Sequence, residues 1–240
     1  ACAGMQDSLP AVELLKTALR DKYHGLRILA VQSLDFKKEI VKQLVETTIF
    51  EVAKGDQKPT VRAEALMALS LYDKPIYREL VQRSVNDSSY SVAGAALLAL
   101  NEADKAQAYT EAKKLSALTV KGKLGGAICN VFASNARQED LAYVLDWYDA
   151  LPFGESKLEN ANAIAYYAIQ LTETASVKKA VDALVKMREE IPAAYRQNLL
   201  PYINQVLLKT IATQKTALKN VASNPEDIQA QIEYINSKIQ

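Results

Sequence analysis

The sequence is poor in the residues that mark turn-rich, disulfide-rich or metal-binding proteins. Its 240 residues include 8 Gly, 7 Pro, 2 Cys and 1 His. Scarce Gly and Pro, together with abundant Ala and aliphatic residues, favour long helices over a turn-rich β structure. Cys2 and Cys129 cannot form a disulfide framework, and Cys129 is expected to be a buried thiol within a helix.

The chain also lacks a charge excess and long apolar runs. Its 29 Lys and Arg residues balance 28 Asp and Glu residues, for a formal charge of +1. This balance argues against a nucleic-acid-binding protein, whose affinity depends on clustered basic charge. No apolar run approaches the roughly 20 residues of a membrane-spanning helix. No signal peptide is expected in this chain, and the choice between cytoplasm and periplasm stays open.

Motifs that would give the chain its own chemistry are absent as well. No HExxH, Gly-rich phosphate-binding loop or G-x-S-x-G motif occurs in it. The single histidine, His24, cannot form a zinc site alone, and no spacing singles out a catalytic partner for it. The sequence therefore predicts no catalytic, cofactor-binding or metal-binding residue, and no cofactor for the chain itself.

What the sequence does contain is an internal repeat near its start. Three stretches align, which are DKYHGLRILAVQSL from Asp21, DQKPTVRAEALMAL from Asp56 and DSSYSVAGAALLAL from Asp87. In each stretch the Asp precedes a helical stripe of Leu or Val, Ala, a second aliphatic residue and Leu. The Asp side chains are expected in the turns before the helices, where their carboxylates can accept backbone N–H groups.

Partner helices are predicted between these copies, over residues 36–55 and 73–86. Both segments carry aliphatic residues at helical spacing. Gly55 is expected just beyond the end of the first helix, and Asp73 is expected to cap the second. The repeating unit is therefore helix, turn, helix.

This unit resembles the HEAT repeat, whose second helix carries a turn Asp and a Val-Arg pair. The second copy matches this pattern best, with Asp56, Val61 and Arg62. The first copy keeps the arginine as Arg27, whereas the third has Ala93 there. The resemblance implies a ladder of Asp and Arg side chains between stacked repeats, which ends at Ala93. It also implies an all-α fold, a HEAT-like α–α superhelix (α-solenoid) of about twelve or thirteen helices.

The repeat becomes less regular after residue 101, although the helical periodicity continues. Two later stretches align on Leu124 and Leu158, and this alignment places Phe132 and Tyr166 in equivalent positions. They are interpreted as degenerate copies of the unit. Pro201 falls inside an otherwise helical pattern and is expected to kink or split that helix.

No linker rich in Pro, Gly or Ser divides the chain, so a single repeat domain is expected over residues 1–240. Clear repeats are assigned to 21–101 and degenerate repeats to 102–222. A capping helix is predicted over 224–240, with Pro225 at its first position.

The richest aromatic stretch contains Trp147, Tyr148 and Phe153. These residues are candidates for an interaction surface, because exposed Trp and Tyr side chains often anchor a protein partner. In the alternative interpretation, which we favour, Trp147 fills space between helices and the other aromatics seal a turn.

Three phrases resemble the C-terminal helical region of zinc aminopeptidases of the aminopeptidase N family. They are VRAEALMAL, DSSYSVAGAALLALNEAD and IPAAYRQNLLPYINQVLLKTI. Bacterial members of that family carry a HEAT-like region after a catalytic domain, which binds zinc through HExxH and a downstream Glu. None of these ligands is in the sequence, so the resemblance transfers no catalytic residue. It implies a non-catalytic accessory region that packs on the catalytic domain and shapes access to its active site, with zinc only in that domain.

A free-standing HEAT scaffold is the competing hypothesis, and it would bind a protein or peptide along its concave surface. Both hypotheses predict a protein partner, which is either the chain's own upstream catalytic domain or another protein. A HEAT-like DNA glycosylase would need a basic groove, which the charge balance disfavours. No nucleic acid partner and no membrane segment are expected.

Overall fold

A computed structural model describes residues 4–72, 74–118, 122–220 and 222–239. These residues form helices and no β-strand, which confirms the all-α prediction. None of the helices in this part of the chain is both long and apolar enough to cross a membrane. The chain forms two compact units, unit 1 (Ala1–Val131) and unit 2 (Phe132–Gln240). The predicted single repeat domain over residues 1–240 stays a prediction.

Unit 1 is built from helical hairpins that lie side by side. Its helices are α1 (Leu9–Ala18), α2 (His24–Ser33), α3 (Glu39–Gly55), α4 (Pro59–Leu69), α5 (Pro75–Ser84), α6 (Tyr90–Ala103), α7 (Lys105–Ser116) and most of α8 (Gly122–Asn135). Helix α2 packs against α4, and α4 packs against α6. Helix α3 lies on α4, while α5 and α7 lie on α6. The second helix of each predicted repeat therefore neighbours the second helix of the next repeat.

The repeated apolar stripe forms the core of unit 1, as predicted. In α4 and α6 all four positions of the stripe are buried. They are occupied by Val61, Ala65, Leu66 and Leu69 in α4 and by Val92, Ala96, Leu97 and Leu100 in α6. In α2 the later stripe positions are buried too, but Leu26 at the first position is 38% exposed.

The three aspartates lie in the turns before α2, α4 and α6, which confirms their predicted position. The Asp21 carboxylate accepts the Tyr23 N–H at 2.7 Å. Asp56 and Asp87 accept the N–H two residues further along in the same way, each at 2.8 Å. These contacts order each turn before the helix begins.

Two predictions about helix ends have different outcomes. Gly55 is the last residue of α3 and Asp56 is its C-cap, so the prediction that Gly55 lies beyond the helix end is wrong. The reason is that the chain leaves α3 through an extended Asp56, with no left-handed residue that would require glycine. The predicted cap at Asp73 lies outside the described residues.

Gly94 lies where α6 comes close to the backbone of α8. A Cβ atom placed on Gly94 would lie 2.9 Å from the carbonyl oxygen of Lys123 and 3.3 Å from the Cα of Leu124. Both of these are backbone atoms in the first turn of α8, which cannot rotate away as a side chain could. The two helices therefore approach at a distance that requires glycine.

Unit 2 is organised around four helices that contact one another in a closed cycle. Its elements are α9 (Leu141–Ala150), α10 (Glu155–Gln170), α11 (Thr174–Glu189), α12 (Arg196–Pro201), a π-helical segment (Tyr202–Leu208), α13 (Lys209–Lys219) and α14 (Pro225–Lys238). Helix α10 packs on α11, α11 on α14, α14 on α13 and α13 on α10. Helix α9 packs on both α10 and α11.

Pro201 interrupts its helix by changing the backbone geometry, without breaking the helix. Residues 196–219 stay helical, but the α geometry of α12 gives way to the π-helical segment directly after Pro201. Proline provides no backbone N–H for the α-helical ladder, and a π-helical stretch is one way to accommodate the change.

The predicted alignment of the degenerate copies is wrong at Tyr166. Tyr166 is 46% exposed, whereas the next residue, Tyr167, is fully buried. In the same helix Lys157 is 1% exposed, whereas Leu158, on which the two stretches align, is only partly buried. Lys157 can be buried because it has an ion-pair partner, Glu190.

Candidate interaction surfaces

The predicted repeat positions form a chain of hydrogen bonds along one edge of unit 1. The Arg27 guanidinium donates two hydrogen bonds to the Asp56 carboxylate, from Nε at 2.7 Å and from Nη2 at 2.8 Å. Its Nη1 donates to the carbonyl oxygen of Asp21 at 2.8 Å. Arg27 therefore joins the turn before its own helix to the turn before the next repeated helix.

Arg62 repeats this arrangement one repeat later. Its Nη1 donates to the carbonyl oxygen of Asp56 at 3.0 Å, and its Nη2 lies 3.6 Å from the Asp87 carboxylate. The next equivalent residue, Ala93, is 1% exposed and carries no charge. The series of Arg-to-Asp contacts in unit 1 thus runs from Arg27 to Asp87 and does not continue through α6. We call this series the Asp–Arg ladder.

The first contact of the Asp–Arg ladder is the better shielded. The side chains of Arg27 and Asp56 are 12% and 8% exposed, against 20% and 26% for Arg62 and Asp87. Burial raises the pKa of Asp56, but the hydrogen bonds from Arg27 and from the Lys58 N–H outweigh it, so the pKa lies below its usual value. Asp56 therefore stays ionised, and its ion pair with Arg27 stabilises the contact between the two repeats.

A shallow apolar groove crosses the exposed face of α4 and α6. It has a volume of about 220 Å³ and its apolar lining comes from Ala63, Met67, Ala95 and Leu98. Glu64 and Lys123 also line the groove. Small residues on both helices open the space, and a flexible Met side chain can adapt to different occupants. The groove suits the apolar face of a peptide or helix.

The larger cavity of unit 1, of about 530 Å³, lies among α4, α5, α6 and α7, and several of its polar groups hold helix ends. Asp104 accepts the Gln107 N–H at 2.9 Å and so caps α7. The Tyr77 hydroxyl donates to Glu46, and burial followed by this contact raises the pKa of Tyr77 to about 12. The phenol therefore stays protonated at neutral pH, and we assign these groups to stabilising the fold.

The predicted aromatic surface in unit 2 is only partly present. Trp147 and Phe153 are partly exposed, but Tyr148 is 0% exposed. Its proposed place on an interaction surface is therefore wrong. Tyr148 lies on the inner face of α9, which packs on α10 and α11, and the Lys157 ammonium is 5.5 Å from the centre of its ring.

Buried cations in unit 2 are the feature that the sequence prediction missed. The Lys157 ammonium pairs with Glu190 at 2.7 Å. Arg188 donates to Asn204 at 2.8 Å and to the carbonyl oxygen of Lys238, at the end of α14, at 2.6 Å. A Lys or Arg in a helical sequence is normally assigned to the surface, so periodicity alone could not locate these residues.

Lys215 is a third buried cation of unit 2. It is 2% exposed and donates to the carbonyl oxygen of Leu171, the C-cap of α10. Burial lowers its pKa to about 8. The carbonyl groups at a helix C-terminus carry partial negative charge, which is the favourable electrostatic environment that this ammonium group receives.

Groups suited to chemistry are dispersed. His24 is the exposed first residue of α2, where its ring contacts that of Tyr23. Cys129 is buried in α8, as predicted, and burial raises the pKa of its thiol. Cys2 lies outside the described residues. In the part of the chain that the structure describes, no three His, Cys, Asp or Glu side chains are grouped to hold a metal ion.

Comparisons with known proteins add no family to this description. No protein-family model matches the sequence, and no curated protein matches it significantly. The structure therefore shows an all-α protein. Its first unit is built from helical hairpins that are joined by the Asp–Arg ladder.

Proposed function

We propose that the chain is a HEAT-like helical-repeat domain, an α-solenoid that acts by binding protein and carries no catalytic residue of its own. The observation that carries this proposal is the Asp–Arg ladder. The same side-chain pair, at the same repeat position, joins two consecutive pairs of repeats, through Arg27 and Asp56 and through Arg62 and Asp87. Stacked repeats explain such a recurrence, because each repeat contacts its neighbours in the same way.

Within this class, we propose that the chain is the accessory region of a zinc-dependent aminopeptidase of the aminopeptidase N family. It would pack on the catalytic domain and shape substrate access, while zinc and its ligands would lie in that domain. The support is the similarity of the phrases that form α4 and α6, VRAEALMAL and DSSYSVAGAALLALNEAD. Long, rigid helical arrays of this kind provide extended surfaces on which another domain can be held.

The decisive test is to read the coding sequence upstream of this chain and to assay the encoded polypeptide. We expect an upstream domain with HExxH and zinc-dependent cleavage of an aminoacyl p-nitroanilide. The isolated chain, supplied with zinc, should give no turnover. An upstream reading frame without a zinc-binding motif, or turnover by the chain alone, would overturn the assignment.

A free-standing protein-binding scaffold is the second candidate, and the groove between α4 and α6 favours it. Under this proposal, Met67→Glu and Leu98→Glu should each abolish capture of a stable partner, because a carboxylate would be forced into the apolar groove. A Trp147→Ala variant tests the aromatic surface of unit 2 in the same assay. If only Trp147→Ala abolished capture of the partner, the binding site would be assigned to unit 2.

A further inference from the structure

The first repeat differs from the next two at the helix position that faces a preceding repeat. Arg62 reaches forward to Asp87, and Val61, one residue earlier, lies about 100° away around the helix and is buried. Val61 and the equivalent Val92 are 0% and 1% exposed. Their counterpart Leu26 is 38% exposed. The position is therefore buried where a preceding repeated helix covers it and open where none does.

The Asp–Arg ladder shows the same open end. Asp56 and Asp87 each receive an arginine from the preceding repeat. The Asp21 carboxylate accepts the Tyr23 N–H in its own turn, and no arginine of the described residues forms an ion pair with it. One carboxylate of the series thus lacks the partner that the other two have.

Three apolar side chains are exposed at this open end, beside the charged Arg20 and Lys22. Tyr23, the N-cap of α2, is 64% exposed, and Leu29, about one turn after Leu26, is 56% exposed. The last repeat of a helical array normally presents a polar outer face to water. Helix α14 follows that rule, since none of the large hydrophobic residues of its described length is exposed. The α2 edge does not follow it, which indicates a surface that is covered in the assembled protein.

We propose that the α2 edge, formed by Asp21, Tyr23, Leu26 and Leu29, is a docking site for an arginine-bearing α-helix of the partner catalytic domain. The proposal rests on the proposed function for the identity of that domain. The arginine would pair with Asp21 as Arg27 pairs with Asp56, and small or aliphatic side chains would cover Leu26, which is equivalent to the buried Val61. The existing α2–α4 interface thus specifies the chemistry of the occupant.

The first test uses matched substitutions in this chain alone. Asp56→Asn should lower the midpoint of urea unfolding, because it removes the charge that binds Arg27. Asp21→Asn should lower the midpoint much less, since Asn keeps the oxygen that orders the turn and only the weaker attraction of Asp21 for Arg27 is lost. Likewise Val61→Lys should be strongly destabilising and Leu26→Lys should not. Equal destabilisation by Asp21→Asn and Asp56→Asn would show that the Asp21 carboxylate already has an equivalent charged partner within the chain. This result would overturn the proposal.

The second test uses the complete polypeptide encoded with this chain. A photo-crosslinking residue at position 26 or 29 should capture a helical segment that contains arginine, identified by mass spectrometry. The same residue at position 71, an exposed leucine in the turn before α5, serves as the control for non-specific capture. Asp21→Arg should reduce the cross-link about tenfold or more through like-charge repulsion, and a change of the captured arginine to Asp should restore it.

The outcomes separate the docking edge from the proposed function. Capture of an arginine-bearing helix in a domain with HExxH supports both. Capture of such a helix in an unrelated protein keeps the edge and overturns the aminopeptidase assignment. Absence of capture, capture of a non-helical segment or capture of a second copy overturns the docking proposal, while the activity assay still decides the proposed function.

Discussion

Unit 1 and unit 2 are both helical, yet they place charge in different ways. In unit 1 the arginines of the Asp–Arg ladder bind aspartates of the following repeat, at the edge of the core. In unit 2 Lys157, Arg188 and Lys215 are buried, and no two of them have the same set of partners. A repeated unit can use the same side-chain contact several times. In an irregular unit each buried polar group needs its own hydrogen-bond or ion-pair partner.

This difference implies different responses to mutation and to pH. Contacts of the Asp–Arg ladder join neighbouring repeats only, so their loss should act locally. A buried cation such as Lys215 couples the stability of unit 2 to proton binding. The predictions below test this contrast, beginning with the largest expected effect.

Replacing Lys215 by Met should remove a pH dependence of unit 2. Burial lowers the pKa of Lys215 from 10.5 to about 8. Between these values the unfolded chain binds more protons than the folded chain, so stability relative to Lys215→Met rises with pH. The gain should be about 3 kcal/mol between pH 7.5 and 10.5. Urea unfolding of both proteins across this range measures it.

Lys186→Met is the matched control in the same unit. Lys186 is exposed and pairs with Asp149 at 2.9 Å, and that hydrogen bond raises its pKa. Its contribution is therefore present below about pH 10.5 and is lost at higher pH, which is the opposite sign. The free energies of unfolding of the wild type and of Lys215→Met could instead run parallel at all pH values. That result would show that Lys215 is not buried as a cation.

Gly94→Ala tests the close approach of helices in unit 1. Helix propensity alone favours alanine by about 0.5–1 kcal/mol. The new methyl group would meet the backbone of Lys123 at 2.9 Å, so we expect a net loss of about 1–3 kcal/mol. Thermal and urea unfolding should show this loss. Gly55→Ala, where no atom lies within 4 Å, should be neutral or stabilising, and the same result for Gly94→Ala would contradict the close approach.

Double-mutant cycles should rank the two contacts of the Asp–Arg ladder. We expect a coupling energy of about 1.5–3 kcal/mol between Arg27 and Asp56, which form two short hydrogen bonds in a shielded site. For Arg62 and Asp87, at 3.6 Å and more exposed, we expect less than about 1 kcal/mol. Urea unfolding of the single and double alanine variants gives both values. Equal couplings would mean that burial does not determine the strength of this ladder.

Tyr148→Phe should have the smallest effect, and its sign is informative. The Tyr148 hydroxyl is buried and makes no hydrogen bond within the described structure. Its removal should be neutral or stabilise unit 2 by up to about 1 kcal/mol, because an unpaired buried hydroxyl carries a desolvation cost. A clear loss in the unfolding midpoint would reveal a partner for this hydroxyl.

The parts of unit 1 that the sequence predicted are those that the chain repeats. The apolar stripe and the turn aspartates could be found because three copies align, and a repeated pattern exceeds chance. The exposure of Leu26 could not be found this way, since it depends on what precedes the helix and not on its own letters. The close approach at Gly94 could not be found this way either, since it depends on the backbone of α8, about thirty residues later in the chain.

Unit 2 was predicted less well for a physical reason. The sequence does not predict the burial of Lys157, and it leaves Tyr148 open between an exposed interaction surface and a buried position, of which the structure shows the buried one. Periodicity assigns a Lys to water. Burial of Lys157 depends on Glu190, more than thirty residues later, and no local pattern contains that pairing.

Gln6 has a consequence for shortening this protein. Its side-chain amide is 1% exposed, donates to the carbonyl oxygen of Ser33 at 2.7 Å and accepts the Asp35 N–H at 2.8 Å. It thereby imitates a peptide group and completes the main chain where α2 ends. A protein trimmed to begin at Ser8 would keep every helix but expose both of these main-chain groups to competition from water. The short segment before α1 therefore stabilises the first hairpin at the end of α2. Its proteolytic removal should destabilise α2 before the other helices.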